Sequence, residues 1–221
     1  SAISNRKSVL LEGAHGVMLD NDFGSYPFVT GSNVITGGVN TGSGIPVQKI
    51  EKVWAVVKAY TSKVGEGPFV TELHDAVSEY IREKGAEYGT TTGRARRTGW
   101  FDAVAARYAI AINGLGSVAI TKLDVLTNLK KIKICTAYSY QGKTLTDFPT
   151  NINILKNCKP VYEEMPGWSE DLSKIERYDG LPENAKSYLE RIEKLIGVPV
   201  SVLSVGPKRN QTMVLREEEL F

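Results

Sequence analysis

The sequence predicts an α/β fold, a mostly parallel sheet flanked by helices with a small antiparallel excursion. Three observations predict it. Short apolar runs closed by glycine, SVLLEG at residues 8–13 and VPVSVLSVGP at 198–207, read as buried strands whose carboxyl ends open into loops. Segments with helical spacing and helical stop signals alternate with such runs. A hairpin-like stretch near residues 131–165 supplies the antiparallel part.

Taken in order, residues 8–13 make the first strand. In VQKIEKVWAVVKAYTSKV, residues 47–64, Ile50, Val53, Trp54, Val57 and Tyr60 share one face of an expected helix. DAVSEYIREKG, residues 75–85, is a helix stopped by Gly85, and FDAVAARYAIAING, residues 101–114, is one stopped by Gly114. GSVAITKLDVL, residues 116–126, reads as a buried strand. KIKICTAYSYQGKTLTDF, residues 131–148, reads as a hairpin turning at Gln141 and Gly142. LPENAKSYLERIEKLIG, residues 181–197, has Pro182 at a helix start and Gly197 just past its end. With no internal repeat or low-complexity linker, one domain over residues 1–221 is preferred.

Composition removes several function classes. Hydrophobic residues are 42% and charged residues 24% of the 221, the usual globular mixture. With 27 basic and 25 acidic residues, net +2, there is no overall field for nucleic acid or an anionic membrane, so any anion site must be local. No apolar run approaches the roughly 20 residues of a membrane span. The start, SAISNRKSVLLEG, has too short an apolar run for a signal peptide and lacks an initial Met, which suggests an excised or engineered beginning. Cys135 and Cys158 are too few for a disulfide framework and lack metal-knot spacing, which points to a reducing cytosol.

Chemistry concentrates in EYGTTTGRARRTGW, residues 87–100. Between Thr90 and Arg96, five of seven side chains are hydroxyl or cationic: Thr90, Thr91, Thr92, Arg94 and Arg96. Gly89, Gly93 and Gly99 allow close approach of a ligand to the main chain. Arginine forks grip carboxylate or phosphate in a bidentate way. The loop reads as an anion holder, with a solvated basic turn as the alternative. TKLD, residues 121–124, sits where a strand ends, the place where ligands gather in open α/β sheets. An Asp in this pattern reads guanine in GTP-binding proteins, because its carboxylate accepts from both N1–H and the exocyclic amine, a donor pair that adenine lacks. Lys122 can lay its stem against the base. The alternative is a strand end with solvated Lys122 and Asp124. SVGP, residues 204–207, is a second strand-end loop, either closing over a purine or a plain turn. His15 reads as a ligand contact or a strand-end histidine satisfied by backbone, and His74 as structural or solvent-facing. Glu12, Asp20 and Asp22 could suggest a metal cluster, but solvated strand-end acids are the favoured reading, so no metal ligand is assigned. The sequence contains no G-x-x-x-x-G-K-[ST] loop to cradle triphosphate.

These residues carry a resemblance. LEGAHGVMLDNDFGSYPFVT, GGVNTGSGIP, KAYTSKVGEGPFVTEL, GTTTGRARRTGWFD, ITKLDVL, YEEMPGW and SVGP are similar, in order and spacing, to the carboxyl-terminal half of adenylosuccinate synthetases. The resemblance implies a GTP-dependent ligase joining IMP to L-aspartate, with Mg2+, in a cytoplasmic homodimer, this chain being a fragment of a larger P-loop-like fold. Thr90, Thr91, Thr92, Gly93, Arg94 and Arg96 would then receive aspartate, and His15, Thr30 and Arg94 would touch IMP. Arg96, Lys122, Leu123, Asp124, Ser204, Val205 and Gly206 would bind GTP. Arg97, outside the matched positions, is expected to be a solvated or structural charge. His15 stands where the family carries an amide, and Gly31 where it carries Ser. The family's phosphate loop, its catalytic aspartate and histidine, and most magnesium ligands are expected in an amino-terminal half. Alone, this chain would be inactive; the alternative is a non-catalytic guanine-nucleotide-binding or interaction fragment.

Overall fold

The computed structural model describes residues 2–89 and 93–220, and the chain gathers into two compact units, residues 1–51 and 52–221. The division falls between Glu51 and Lys52, inside the stretch expected to be a single helix.

The described residues of the first unit form no strand. They make 3-10 turns at Val17–Leu19 and Val47–Lys49 and a short helix, α1 (Gly38–Ser43), ended by Gly44 at φ 71°. A buried carboxylate organises this unit. Asp20 Oδ1 accepts from the N–H groups of Asp22 (2.9 Å) and Phe23 (2.9 Å), and Oδ2 accepts from those of Val34 (2.6 Å) and Ile35 (3.2 Å). Burial would raise the Asp20 carboxyl, but the four backbone donors outweigh it and hold it below its ordinary value. Its role is thus to tie residues 20–23 to 34–35. The expected strand at residues 8–13 is not formed, and Val9, Leu10 and Leu11 are exposed. An apolar run becomes a strand only where a neighbour pairs its backbone, and no strand of this unit does so.

The second unit carries the α/β core. In chain order it comprises β1 (Trp54–Lys58), β2 (Thr61–Lys63), α2 (Ala76–Lys84), β3 (Arg97–Gly99), β4 (Phe101–Asp102), α3 (Ala103–Asn113), β5 (Ser117–Thr121), β6 (Lys131–Tyr140), β7 (Lys143–Leu145), α4 (Ile152–Asn157), β8 (Lys159–Pro166), α5 (Glu183–Ile196), β9 (Val200–Ser204) and β10 (Thr212–Val214). The main sheet has the order β1-β5-β9-β10, with β1, β5 and β9 parallel and β10 antiparallel to β9. Lys58 lies opposite Thr121, and Ile120 opposite Leu203, so three strands finish side by side at their carboxyl ends. β2 and β3 form a small antiparallel pair. The antiparallel excursion is a second sheet in which β6 pairs with β7 and β8, with β4 joining β6 in parallel.

Local chemistry explains most of these elements. Asp75 caps α2 by accepting from Val77 and Ser78 N–H, and Asp102 caps α3 through Val104 and Ala105 N–H. Gly114 and Gly197 end α3 and α5 in the left-handed conformation, at φ 62° and 78°. Gln141 and Gly142 take positive φ, 49° and 76°, as a tight hairpin turn between β6 and β7 requires. The expected helix over residues 47–64 is a 3-10 turn followed by β1 and β2. Its 3.6-residue spacing is coincidental: the β-branched and aromatic run WAVV suits a pleated strand, and pairing with β5 decides the outcome. The expected strand over 116–126 stops at Thr121, where Lys122 adopts φ 61° and a 3-10 turn, Leu123–Leu126, follows.

One core holds the sheet and its helices, with Ile120, Leu123, Leu126, Ile132, Tyr188, Ile192 and Leu203 buried together. Tyr188 of α5 donates to the Ala59 carbonyl at 2.6 Å, fixing that helix against the end of β1. A smaller cluster gathers Val104, Cys135, Tyr138 and Leu155. There the Tyr138 hydroxyl donates to Asp102 Oδ2 at 2.7 Å, satisfying the buried carboxyl that caps α3. Tyr138→Phe leaves that carboxyl short of a donor and should cost about 1–3 kcal/mol, read as a lowered urea midpoint. An unchanged midpoint would show that this bond carries no stability.

Candidate functional site

The finishing ends of the parallel strands collect the chemistry. β1 ends at Lys58, β5 leads into Lys122 and Asp124, and β9 leads through Ser204 into Val205 and Gly206. Ligands in open α/β sheets bind beyond such ends.

At the centre lies a residue that the motif reading passed over. Glu87 follows the end of α2, where Ala86 at φ 48° reverses the chain and carries Glu87 into the interior. Its side chain is completely buried. Lys58 Nζ donates to Glu87 Oε1 and Oε2 at 2.7 and 2.9 Å, the Tyr60 hydroxyl to Oε1 at 2.5 Å, and Arg96 Nη1 to Oε2 at 2.8 Å. Lys122 Nζ stands 3.9 Å from Oε1 and donates to the Gly85 carbonyl at 2.5 Å. Lys58 also donates to Ser62 Oγ at 2.7 Å. Burial alone would raise the Glu87 carboxyl; hydrogen bonds from Lys58, Tyr60 and Arg96 reverse this and bring it down to about 2. The same burial lowers Lys58 and, with the bond to Glu87, raises Tyr60. Gly85 makes the arrangement possible: a Cβ there would overlap the Tyr60 hydroxyl and the Ile81 carbonyl. Three cations around one carboxylate leave the cluster with surplus positive charge.

The loop of residues 87–100 continues from this cluster. Tyr88 bridges Ala95, Gly89 N–H donates to the Arg94 carbonyl at 2.8 Å, and Gly93 N–H donates to the Gly89 carbonyl at 2.7 Å, with Gly93 at φ 63°. Arg94 is exposed, whereas Arg96 is held by Glu87 through both side chain and main chain. Thr90, Thr91 and Thr92 lie outside the described residues. Arg97 is structural, as expected: it grips the Glu72 carboxylate in a bidentate way, donates to the Gly65 and Gly67 carbonyls, and covers the Phe69 ring.

Asp124 sits on the turn after β5. Its Oδ1 is buried without a hydrogen-bond partner, and burial raises its carboxyl above the ordinary range against the pull of Lys122 and Lys84. A buried, unsatisfied carboxylate oxygen is costly, and a ligand with two N–H donors would relieve that cost. The Leu123 side chain is fully buried in the core, so any nucleotide contact is left to its main chain. Val205 is likewise buried and donates from N–H to the Gln211 carbonyl at 2.9 Å, while Ser204 Oγ donates to the Gly206 carbonyl at 2.8 Å.

His15 and Thr30 belong to the first unit. His15 is exposed in a loop rather than at a strand end, and Thr30 N–H donates to the Leu19 carbonyl at 2.8 Å. His74 is solvent-facing, 3.9 Å from Glu72. Among the described residues, no three His, Cys, Asp or Glu side chains are placed to hold a metal ion, and no helix is long and apolar enough to cross a membrane.

The family model for adenylosuccinate synthetase matches residues 1–213. This chain belongs to the adenylosuccinate synthetase family. An adenylosuccinate synthetase of Brevibacillus brevis is 55% identical over 215 residues, covering 97% of this chain and 50% of that protein. A relative from Thermoanaerobacter sp. gives the same figures. The chain thus spans about half the length of the curated relatives it matches. A fully ligated adenylosuccinate synthetase from Plasmodium falciparum superimposes with a TM-score of 0.95 at 45% identity, over 97% of this chain and 52% of that one. A cyanophage S-2L succinoaminodeoxyadenylate synthetase, at 21% identity and a TM-score of 0.56, shares the fold.

The buried cluster has a consequence for acid stability. A depressed carboxyl contributes stability that is present above its ordinary value of 4.5 and is lost as pH falls through the folded value of about 2. The difference corresponds to on the order of 3 kcal/mol. Urea denaturation from pH 7 to pH 2.5 should show a steeper acid loss in the unmodified chain than in Glu87→Gln. Parallel curves would show that Glu87 titrates alike in the folded and unfolded chains.

Proposed function

We propose that this chain carries part of the machinery for GTP-dependent ligation of IMP and L-aspartate to adenylosuccinate, on the purine route to AMP. The observation that carries this reading is the pair of strand-end loops on neighbouring strands β5 and β9, one bearing the unpartnered Asp124 oxygen and the other Ser204–Gly206. Asp124 accepts from the two donors of guanine, Lys122 lies along the base, and the 204–206 turn closes over it. Arg96, fixed by Glu87, faces the nucleotide. Arg94, with Gly93 and Thr90–Thr92, holds the aspartate carboxylates and reaches toward IMP, and His15 and Thr30 serve the IMP side.

In the intact enzyme, phosphorylation of the IMP 6-oxygen by GTP converts a poor leaving group into a good one. The aspartate amine then displaces phosphate. The residues of this chain contribute by positioning and by neutralising charge. His15 supplies one hydrogen-bond donor when neutral, where an amide would offer two donors and an acceptor. Magnesium would neutralise phosphate charge; the described residues offer no ligand set for it, and no role is assigned to them there. A cytoplasmic homodimer belongs to the same reading of the whole protein.

Taken alone, the chain acts as a guanine-nucleotide-binding fragment without turnover, since its sequence holds no triphosphate-cradling loop. Incubation with IMP, aspartate, GTP and magnesium should yield no adenylosuccinate absorbance; turnover of about 1 per second or more would overturn this. In calorimetry, GTP, GDP and guanosine should bind weakly but better than their adenine counterparts, and Asp124→Ala should remove the difference. Equal binding of both bases by the unmodified chain would count against the guanine assignment.

A further inference from the structure

The cations at the strand ends are not free to choose their positions. Lys58, Arg96 and Lys122 come from three segments far apart in sequence, yet all stand around the Glu87 carboxylate, at 2.7, 2.8 and 3.9 Å. Lys58 gives three donors to Ser62 and both Glu87 oxygens, so its ammonium has no N–H left for a ligand. Its charge balances that of Glu87. Arg96, hydrogen-bonded to Glu87, and Lys122, which donates to the Gly85 carbonyl two residues before Glu87 and is drawn by the Glu87 charge at 3.9 Å, then retain their positive charge toward an anion while being placed by an anion. Tyr60 completes the carboxylate's shell without adding charge.

We propose that Glu87 is a positioning residue for guanine-nucleotide binding, a buried carboxylate that fixes Arg96 at the entry to β3 by a hydrogen bond and draws Lys122 by charge after β5, while Lys58 cancels its charge. The inference rests on the guanine-site reading above and deepens it. It makes a prediction opposite to that of net charge. Glu87→Gln adds one positive charge to the cluster, so electrostatics alone would tighten both GTP and ATP. Loss of positioning instead weakens GTP by about tenfold, the effect of one charge-assisted hydrogen bond. It also shrinks the preference for GTP over ATP, because Lys122 shares its turn with Asp124.

The experiment is calorimetry of this chain with GTP and with ATP, comparing the unmodified protein, Glu87→Gln, Glu87→Asp and Tyr60→Phe. Weaker GTP binding with a reduced GTP-to-ATP ratio in Glu87→Gln, partial recovery in Glu87→Asp, and a smaller fall of the same sign in Tyr60→Phe are expected. A purely structural role would lower both nucleotides equally and leave the ratio intact, which would overturn the inference. So would GTP binding in Glu87→Gln as tight as, or tighter than, in the unmodified protein. If Glu87→Gln does not fold, Tyr60→Phe decides, and unchanged GTP affinity there overturns the proposal. No guanine preference in the unmodified protein would sink the guanine-site reading and this inference together, whereas a preference that survives Glu87→Gln sinks only the inference.

Discussion

A charge removed from water must be met by partners, and Glu87 shows how far one such requirement can organise a fold. Its carboxylate is sealed from solvent, and leaving it unpaired would be strongly destabilising. Satisfying it draws together the end of β1 through Lys58, the following loop through Tyr60, the segment after α2, the strand-entry Arg96, and the turn after β5 through Lys122. These five pieces form the wall of the candidate site. Their relative placement follows from one electrostatic demand rather than from five independent packing solutions.

That demand also explains choices that packing alone would not make. Apolar residues of similar volume often stabilise a core as well as a buried ion pair does. A hydrophobic replacement of Glu87, however, would leave three cations close together with nothing between them. Gly85 bears on the same point from the steric side, since only a residue without a Cβ lets the Tyr60 hydroxyl approach the chain there. Asp20 performs a comparable task within the first unit with backbone donors alone, and it gathers loops rather than charged side chains.

Much of the fold was legible from the sequence because its signals are local. Gly85, Gly114 and Gly197 mark three helix ends, and Gln141-Gly142 marks a hairpin, through backbone preferences acting within a few residues. Residues 47–64 misled because Ile50, Val53, Trp54 and Val57 fit a helical period, while pairing with β5, some sixty residues away, decided the outcome. Residues 8–13 misled in the opposite sense, being apolar enough for a strand but without a strand partner. Lys122, Asp124 and Ser204–Gly206 stand out in the sequence because their motifs fall where apolar runs end, and the structure places them after β5 and β9. Glu87 was missed although it stands two residues before Gly89. Nothing local distinguishes an acid that will be buried from one that will be solvated, and its partners Lys58 and Lys122 are distant in the chain. The signal available was the lone acid opening a stretch with three arginines.

The parallel sheet ends at β1, whose side away from β5 pairs with no strand among the described residues, and Val56 there is 67% exposed. An open strand edge of β-branched and aromatic residues is a template for another strand. Left open in concentrated solution, that edge would offer copies of this chain a route to edge-to-edge association. The flanking Glu51 and Lys52 are charges that make such stacking of copies costly.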